Sequence, residues 1–193
     1  MKLSKVLLTV ALSVLFIFPV IAKEPPEKIL QSLPTIVESF IAENVHVYEN
    51  PAAGASLGYN DLSNTTITFY LYDGGISNVE DGIASKEISE VKASVTNEIE
   101  NGKNWANVSL AFDGKKEIKL DSGKQIPVLF TQFLLQDSRR TKKTDPFFRS
   151  DLYLVGAKGY ICKMRITRKS DLPPAKEQEI EKFVAKSYSK ILE

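Results

Sequence analysis

The sequence predicts an α+β domain: a mostly antiparallel β-sheet covered by helices on both faces, an α/β/α sandwich. Three observations carry this expectation. Gln125–Gln136, QIPVLFTQFLLQ, set out as a strand, places Ile126, Val128, Phe130 and Leu134 on one side and Leu129, Phe133 and Leu135 on the other. Neither face of such a strand can be left in water, so it reads as a central strand with a layer above and below. Ser85–Glu100 and Pro173–Leu192 repeat apolar residues at helical spacing and can supply those layers. Asp113-Gly114 and Lys158-Gly159, each between runs of strand formers, read as hairpin turns.

The chain of 193 residues opens on an address. Lys2 and Lys5 precede the apolar run Val6–Phe18, Pro19 interrupts it, and Val20-Ile21-Ala22 presents residues that a signal peptidase reads. Residues 1–22 are therefore expected to be a signal peptide cut after Ala22, which places the protein in the periplasm or outside the cell. The expected division is then an arm with an accessory helix over 23–44 and a single α+β domain over 45–193. Loss of Lys2 and Lys5 takes the formal charge from +1 to just below zero. That balance gives no footprint for nucleic acid or an anionic membrane surface, and no stable membrane span is expected after signal removal. Cys162 is the only cysteine, so an intrachain disulfide is impossible, which fits a bacterial periplasm better than a eukaryotic secretory route.

In chain order, Pro25-Pro26 belongs to a solvated arm. A first helix of about ten residues follows from Ile29, Leu30, Leu33, Ile36, Val37, Phe40 and Ile41, with Pro34 breaking or restarting a turn. Val45–Glu49 and Ala55–Tyr59 form a hairpin around Asn50-Pro51 and Gly54. Thr65–Asp73, TTITFYLYD, is dense in β-branched and aromatic residues and is a strand. In the next helix Ile88, Val91, Val95 and Ile99 share a stripe, Ser85 caps the start, and Gly102 ends it in the left-handed conformation. Asn107–Phe112 and Lys116–Leu120 then flank Asp113-Gly114 as a hairpin, and Asp121–Lys124 turns into the central strand. Asp137–Asp145, DSRRTKKTD, has no apolar residue and reads as a mobile loop. Asp151–Ala157 and Tyr160–Thr167 make the last hairpin, with Tyr160, Cys162, Met164 and Ile166 on one face and Lys163 and Arg165 on the other. Ser170 or Asp171 caps the final helix, whose buried face carries Ile180, Phe183, Val184, Tyr188, Ile191 and Leu192.

This element order, with the turn Val47-Tyr48-Glu49-Asn50-Pro51, Gly54, Tyr59, the strand Ile67–Asp73 and the strand Gly159–Arg165 before a C-terminal helix, resembles the PsbP family of extrinsic photosystem II subunits and related small envelope proteins. The resemblance spans roughly Val45 to Glu193 and implies the α/β/α sandwich. No functional residue is carried over from it, because fold analogy licenses no function.

No catalytic, cofactor-binding or metal-binding set is legible. His46 is the only histidine, which removes most zinc sites, and it sits in a strand-like VHVY segment with no G-x-S-x-G elbow elsewhere. Cys162 is expected in the core as an unreactive thiol. Gly74-Gly75 and Asp81-Gly82 precede a helix, but Glu80, Asp81 and Glu87 would repel phosphate there. Tyr48, Tyr59, Tyr70 and Tyr72 lie on adjacent expected strands and are explained by cross-strand packing.

The best candidate surface for a partner is basic: Arg139, Arg140, Lys142 and Lys143, with Lys163, Arg165, Arg168 and Lys169 expected on the same side of the sheet. The functional expectation is a non-enzymatic binding or accessory protein of the bacterial periplasm that meets another envelope protein or an acidic ligand and needs no cofactor. The alternative is a hydrolase or lipid-handling enzyme whose site is assembled from separated residues.

Overall fold

The computed structural model describes residues 23–139, 142, 144 and 146–193; the expected signal peptide therefore lies outside the described residues. The described chain runs α1 (Pro26–Gln31), β1 (Ile36–Val37), β2 (Phe40–Ala42), β3 (His46–Val47), β4 (Ala55–Asn60), β5 (Thr66–Tyr72), α2 (Lys86–Asn101), β6 (Trp105–Lys119), β7 (Gln125–Asp137), β8 (Phe148–Ala157), β9 (Tyr160–Lys169) and α3 (Pro174–Leu192). All pairings are antiparallel and join nine strands into one sheet of order β1-β2-β4-β5-β9-β8-β7-β6, with β3 paired to the side of β4.

The sheet, and not a pair of helical layers, is the architecture, which corrects the expected α/β/α sandwich. On one face α1 and α3 bury Ile29, Leu30, Ile180, Phe183, Val184, Tyr188 and Ile191 against Tyr59, Ile67, Phe69, Cys162, Met164, Ile166, Val128 and Phe130. Phe183 is the hub of this layer, with ring centroids 4.8 Å from Tyr59 and 5.2 Å from Phe40. On the second face α2 lies alone, packing Ile88, Val95 and Ile99 on Phe133, Leu135, Leu152, Leu154 and Ile161. The physical reason is in the strand composition: α2 has one apolar stripe and meets only the apolar part of this face. Where β5 and β9 turn Thr66, Thr68, Arg165 and Thr167 to the same side, there is nothing apolar for a helix to cover.

Several local expectations change for equally physical reasons. β7 is an interior strand next to the edge strand β6, while the middle of the sheet is β5 and β9. The Asp113-Gly114 pair makes no turn. Both residues lie inside β6 opposite Thr131 and Phe130, and neither has the positive φ that a two-residue hairpin demands. The long ladder to β7 outweighs the local turn preference, and the missing Gly114 side chain makes room for the Phe112 ring, which packs 5.6 Å from Phe130. The Lys158-Gly159 turn, in contrast, forms as expected, with φ of 52° and 79° at its two central residues.

The first helix stops at Gln31, and the helical spacing of Ile36, Val37, Phe40 and Ile41 is used by the β1–β2 hairpin instead. Val37 and Phe40 face the core while Ile36 and Ile41 stay 64% and 61% exposed. Residues 23–44, expected as an arm with an accessory helix, supply a short helix, two strands and five core side chains: Ile29, Leu30, Leu33, Val37 and Phe40. Ser85 caps α2 by accepting from the Ile88 N–H at 3.3 Å, but Gly102 is extended and not left-handed. Pro173, with no side-chain cap, replaces Ser170 or Asp171 at the start of α3.

Candidate functional site

The uncovered half of the second face is built by register. β5 and β9 pair Thr66 with Thr167, Thr68 with Arg165, and Tyr70 with Lys163. Because side chains alternate across a strand, these six residues form a polar patch directly behind the apolar row Ile67, Phe69, Leu71, Cys162, Met164 and Ile166. β8 adds Ser150 beside Thr167. The N-terminal end of β6, with Asn104 and Trp105, and the end of β7, with Asp137, Ser138 and Arg139, rise at one side to make a cleft of about 610 Å³.

Arg165 is the central charge of this cleft. It is half-buried, its Nε donates to Ser150 Oγ at 3.1 Å, and among the described residues no carboxylate pairs with its guanidinium. Burial disfavours its charged form and lowers its pKa, an effect that the more distant Glu98 of α2 opposes. Lys163 is placed alike. Its Nζ lies 4.1 Å over the Tyr70 ring and 5.5 Å from that of Tyr72, and burial lowers its pKa, with Glu98 opposing and Arg165 adding to the shift. Two neighbouring half-buried cations thus contact aromatic and hydroxyl groups, with Glu98 acting on both but no ion pair formed to either among the described residues.

The basic residues singled out from sequence separate on the fold. Arg139 lies at the cleft rim and is held by Asp137 through Nε to Oδ1 at 2.9 Å and Nη2 to Oδ2 at 2.7 Å. Lys142 is exposed, and Arg140 and Lys143 lie outside the described residues. Lys163 and Arg165 are in the face and Lys169 is exposed at the end of β9. Arg168 is a correction: its parity sends it to the opposite face, where it is 2% exposed and bound by Asp151 and Glu177. Thr66, Thr68, Trp105, Ser150 and Thr167 went unnoticed in the sequence. The signal for the threonines was the strict alternation of TTITFYLY, polar on one side and apolar on the other; the signal for their partners across the β5–β9 ladder lay about a hundred residues away.

The alternatives to this cleft are weaker. A second cavity of about 620 Å³ lies between Ile41, Leu62 and Lys176, but Lys176 is already paired with Asp61 and Glu179. His46 is exposed on the short strand β3, edge-on to Tyr48. Cys162 is 1% exposed in the core, where burial pushes its thiol up to about 12. Among the described residues no group of three His, Cys, Asp or Glu side chains is arranged to hold a metal, and no helix is long and apolar enough to cross a membrane. Ser150 and Lys163 are no dyad: Ser150 stands opposite Thr167, four residues along β9 from Lys163, or roughly 13 Å at the usual strand rise.

Comparison with family models, with curated proteins and with solved structures finds no match for this chain.

Proposed function

We propose that this protein is an exported, non-enzymatic binding protein that captures an acidic ligand in the cleft on the open half of its sheet. The observation that carries this reading is Arg165: a half-buried guanidinium without a carboxylate partner among the described residues that lines the cleft, with a second half-buried cation, Lys163, next to it on β9. A desolvated charge without an acid is unfavourable by itself and becomes favourable when a ligand brings the acid. Thr66, Thr68 and Thr167 line the cleft and can hydrogen-bond a ligand, while the carboxylate in the described lining, Asp137, is engaged by Arg139. The export part of the proposal rests on the Lys2 to Ala22 sequence. Lys23, the residue after the expected cut, is bound to the fold, with Nζ 2.9 Å from Asp73 and 3.5 Å above the Tyr160 ring.

The test is calorimetric titration of the full chain and of R165Q with inorganic phosphate, glucuronate and a short Glu-rich peptide at low and high salt. Saturable binding of at least one of these anions, weakened by salt and lost in R165Q, is the expected result. Binding of none, or binding unchanged in R165Q, overturns the reading. Replacing Arg139 by Ser tests the rim separately, and is expected to slow capture more than it weakens the complex.

A further inference from the structure

We infer that the ligand of this cleft is an acidic saccharide, with a carboxylate on Arg165 and a sugar ring against Trp105. This rests on the anion-binding reading above and adds the chemical class of the body that carries the charge.

The cleft floor is chemically unusual for a bare anion. A site for phosphate or a free carboxylate presents donors: backbone N–H groups, lysines or arginines. Here the polar groups around Arg165 are mostly hydroxyls and an amide, from Thr66, Thr68, Thr167, Ser138 and Asn104, and each of these both donates and accepts. Such groups match a ligand that is itself rich in hydroxyls. The spacing of the three threonines is regular, because they stand on the pleat of β5 and β9: about 4.8 Å between strands and about 6.8 Å between alternate residues along one. That grid suits the hydroxyls of successive sugar rings.

The charge count points the same way. Arg139 is neutralised by Asp137 within the lining, so Arg165 is left as the one uncompensated charge among the described lining residues. A multiply charged phosphate would exceed that single charge, whereas one carboxylate per bound unit matches one planar guanidinium fork. Trp105 completes the set. It is half-buried, its ring packs 6.2 Å from Phe148, and it lines the cleft as an apolar wall with a polar edge, the surface against which the C–H face of a sugar ring stacks.

Trp105 is also the only tryptophan in the chain, so its fluorescence reports the cleft directly. The experiment titrates the full chain, R165Q and T68V with digalacturonate, with its methyl ester, with inorganic phosphate and with a short Glu-rich peptide. Circular dichroism and melting temperature serve to check that each variant is folded. The expected result is a saturable Trp105 change with digalacturonate. Binding should be about tenfold or more weaker for the methyl ester and in R165Q, while T68V weakens digalacturonate binding and leaves any residual phosphate binding unaltered. If phosphate or peptide binds as tightly as digalacturonate and depends on Arg165, the saccharide inference falls and the anion reading stands. If the methyl ester binds as well as the acid, or no ligand binds, both fall.

Discussion

Arg168 of β9 and Asp151 of β8 meet at 2.7 Å, Nη1 to Oδ2, with both side chains 3% exposed. Arg168 also donates to both oxygens of Glu177 in the first turn of α3, at 3.1 and 2.9 Å, and Gln132 donates to the other oxygen of Asp151 at 2.8 Å. Arg149 stands directly opposite Arg168 in the β8–β9 ladder, and Glu177 lies between the two like charges, 3.2 Å from Arg149 Nη1. The cluster binds the N-terminal end of α3 to the sheet.

Truncation of Arg168 should therefore leave the Asp151 carboxylate buried against the neutral Gln132 amide. Arg168→Ala is expected to cost about 3–5 kcal/mol, while replacing Asp151 and Arg168 together by Leu and Met is expected to cost far less, since the attraction of such a pair is largely offset by its desolvation. Urea denaturation of the single and double variants measures this. Equal losses in both would show that the pair contributes through packing alone.

A second bond holds the same helix elsewhere. The Asp61 carboxylate, 2% exposed, pairs with Lys176 of α3 and accepts from the N–H groups of Ser63 and Thr65 at 2.9 and 3.0 Å. Burial would raise its pKa, but hydrogen bonds from Lys176, Ser63 and Thr65 hold it below its ordinary 3.8. For Lys176 burial acts downward and its bonds to Asp61 and Glu179 prevail, so its pKa lies above 10.5. Asp61, depressed in the folded state, contributes stability that is present above 3.8 and lost as pH falls through the lower folded value; Lys176, raised, contributes stability present below 10.5 and lost as pH rises through the higher one. Asp61→Asn should cost about 1–3 kcal/mol near neutrality and flatten the acid limb of the curve of melting temperature against pH. An acid limb as steep in the variant as in the wild type would assign that loss to other carboxylates.

Two buried tyrosines should respond oppositely to loss of their hydroxyls. Tyr59 donates to the Pro34 carbonyl at 2.7 Å, so Tyr59→Phe is expected to lose about 1 kcal/mol. The Tyr188 hydroxyl is buried with no hydrogen-bond partner among the described residues, so Tyr188→Phe removes an unsatisfied group and is expected to gain up to about 1 kcal/mol. Thermal unfolding of the two variants side by side decides this, and a loss in Tyr188→Phe would mean that the hydroxyl is satisfied in solution.

Cys162 combines a position in the core with a thiol that burial raises to about 12, so almost none of it is thiolate at neutral pH. Its reaction with a thiol probe should be slow in the native protein and should accelerate with denaturant in step with global unfolding. Fast labelling without denaturant would place an opening motion at β9.

Local chemistry made much of the secondary structure legible in the sequence. β-branched and aromatic alternation marked β5, the Lys158-Gly159 pair marked the β8–β9 hairpin, and the Ser85 cap with its apolar stripe marked α2. The face partition of β9 was equally readable, because Tyr160, Cys162, Met164 and Ile166 alternate strictly with Lys163 and Arg165. Only tertiary structure decided what these faces meet. Asp113-Gly114 lies extended because the ladder to β7 supplies more than a local turn does, and Ile36–Ile41 became a hairpin because β4 and Phe183 offered a sheet edge and a core contact that no periodicity announces. The candidate site belongs to this second category. Thr66 and Thr68 are joined to Arg165 and Thr167 by long-range strand pairing, and Arg165 and Arg168, three residues apart and alike in sequence, are sent to opposite faces: one to a cleft where no described carboxylate pairs with it, the other into a buried ion pair.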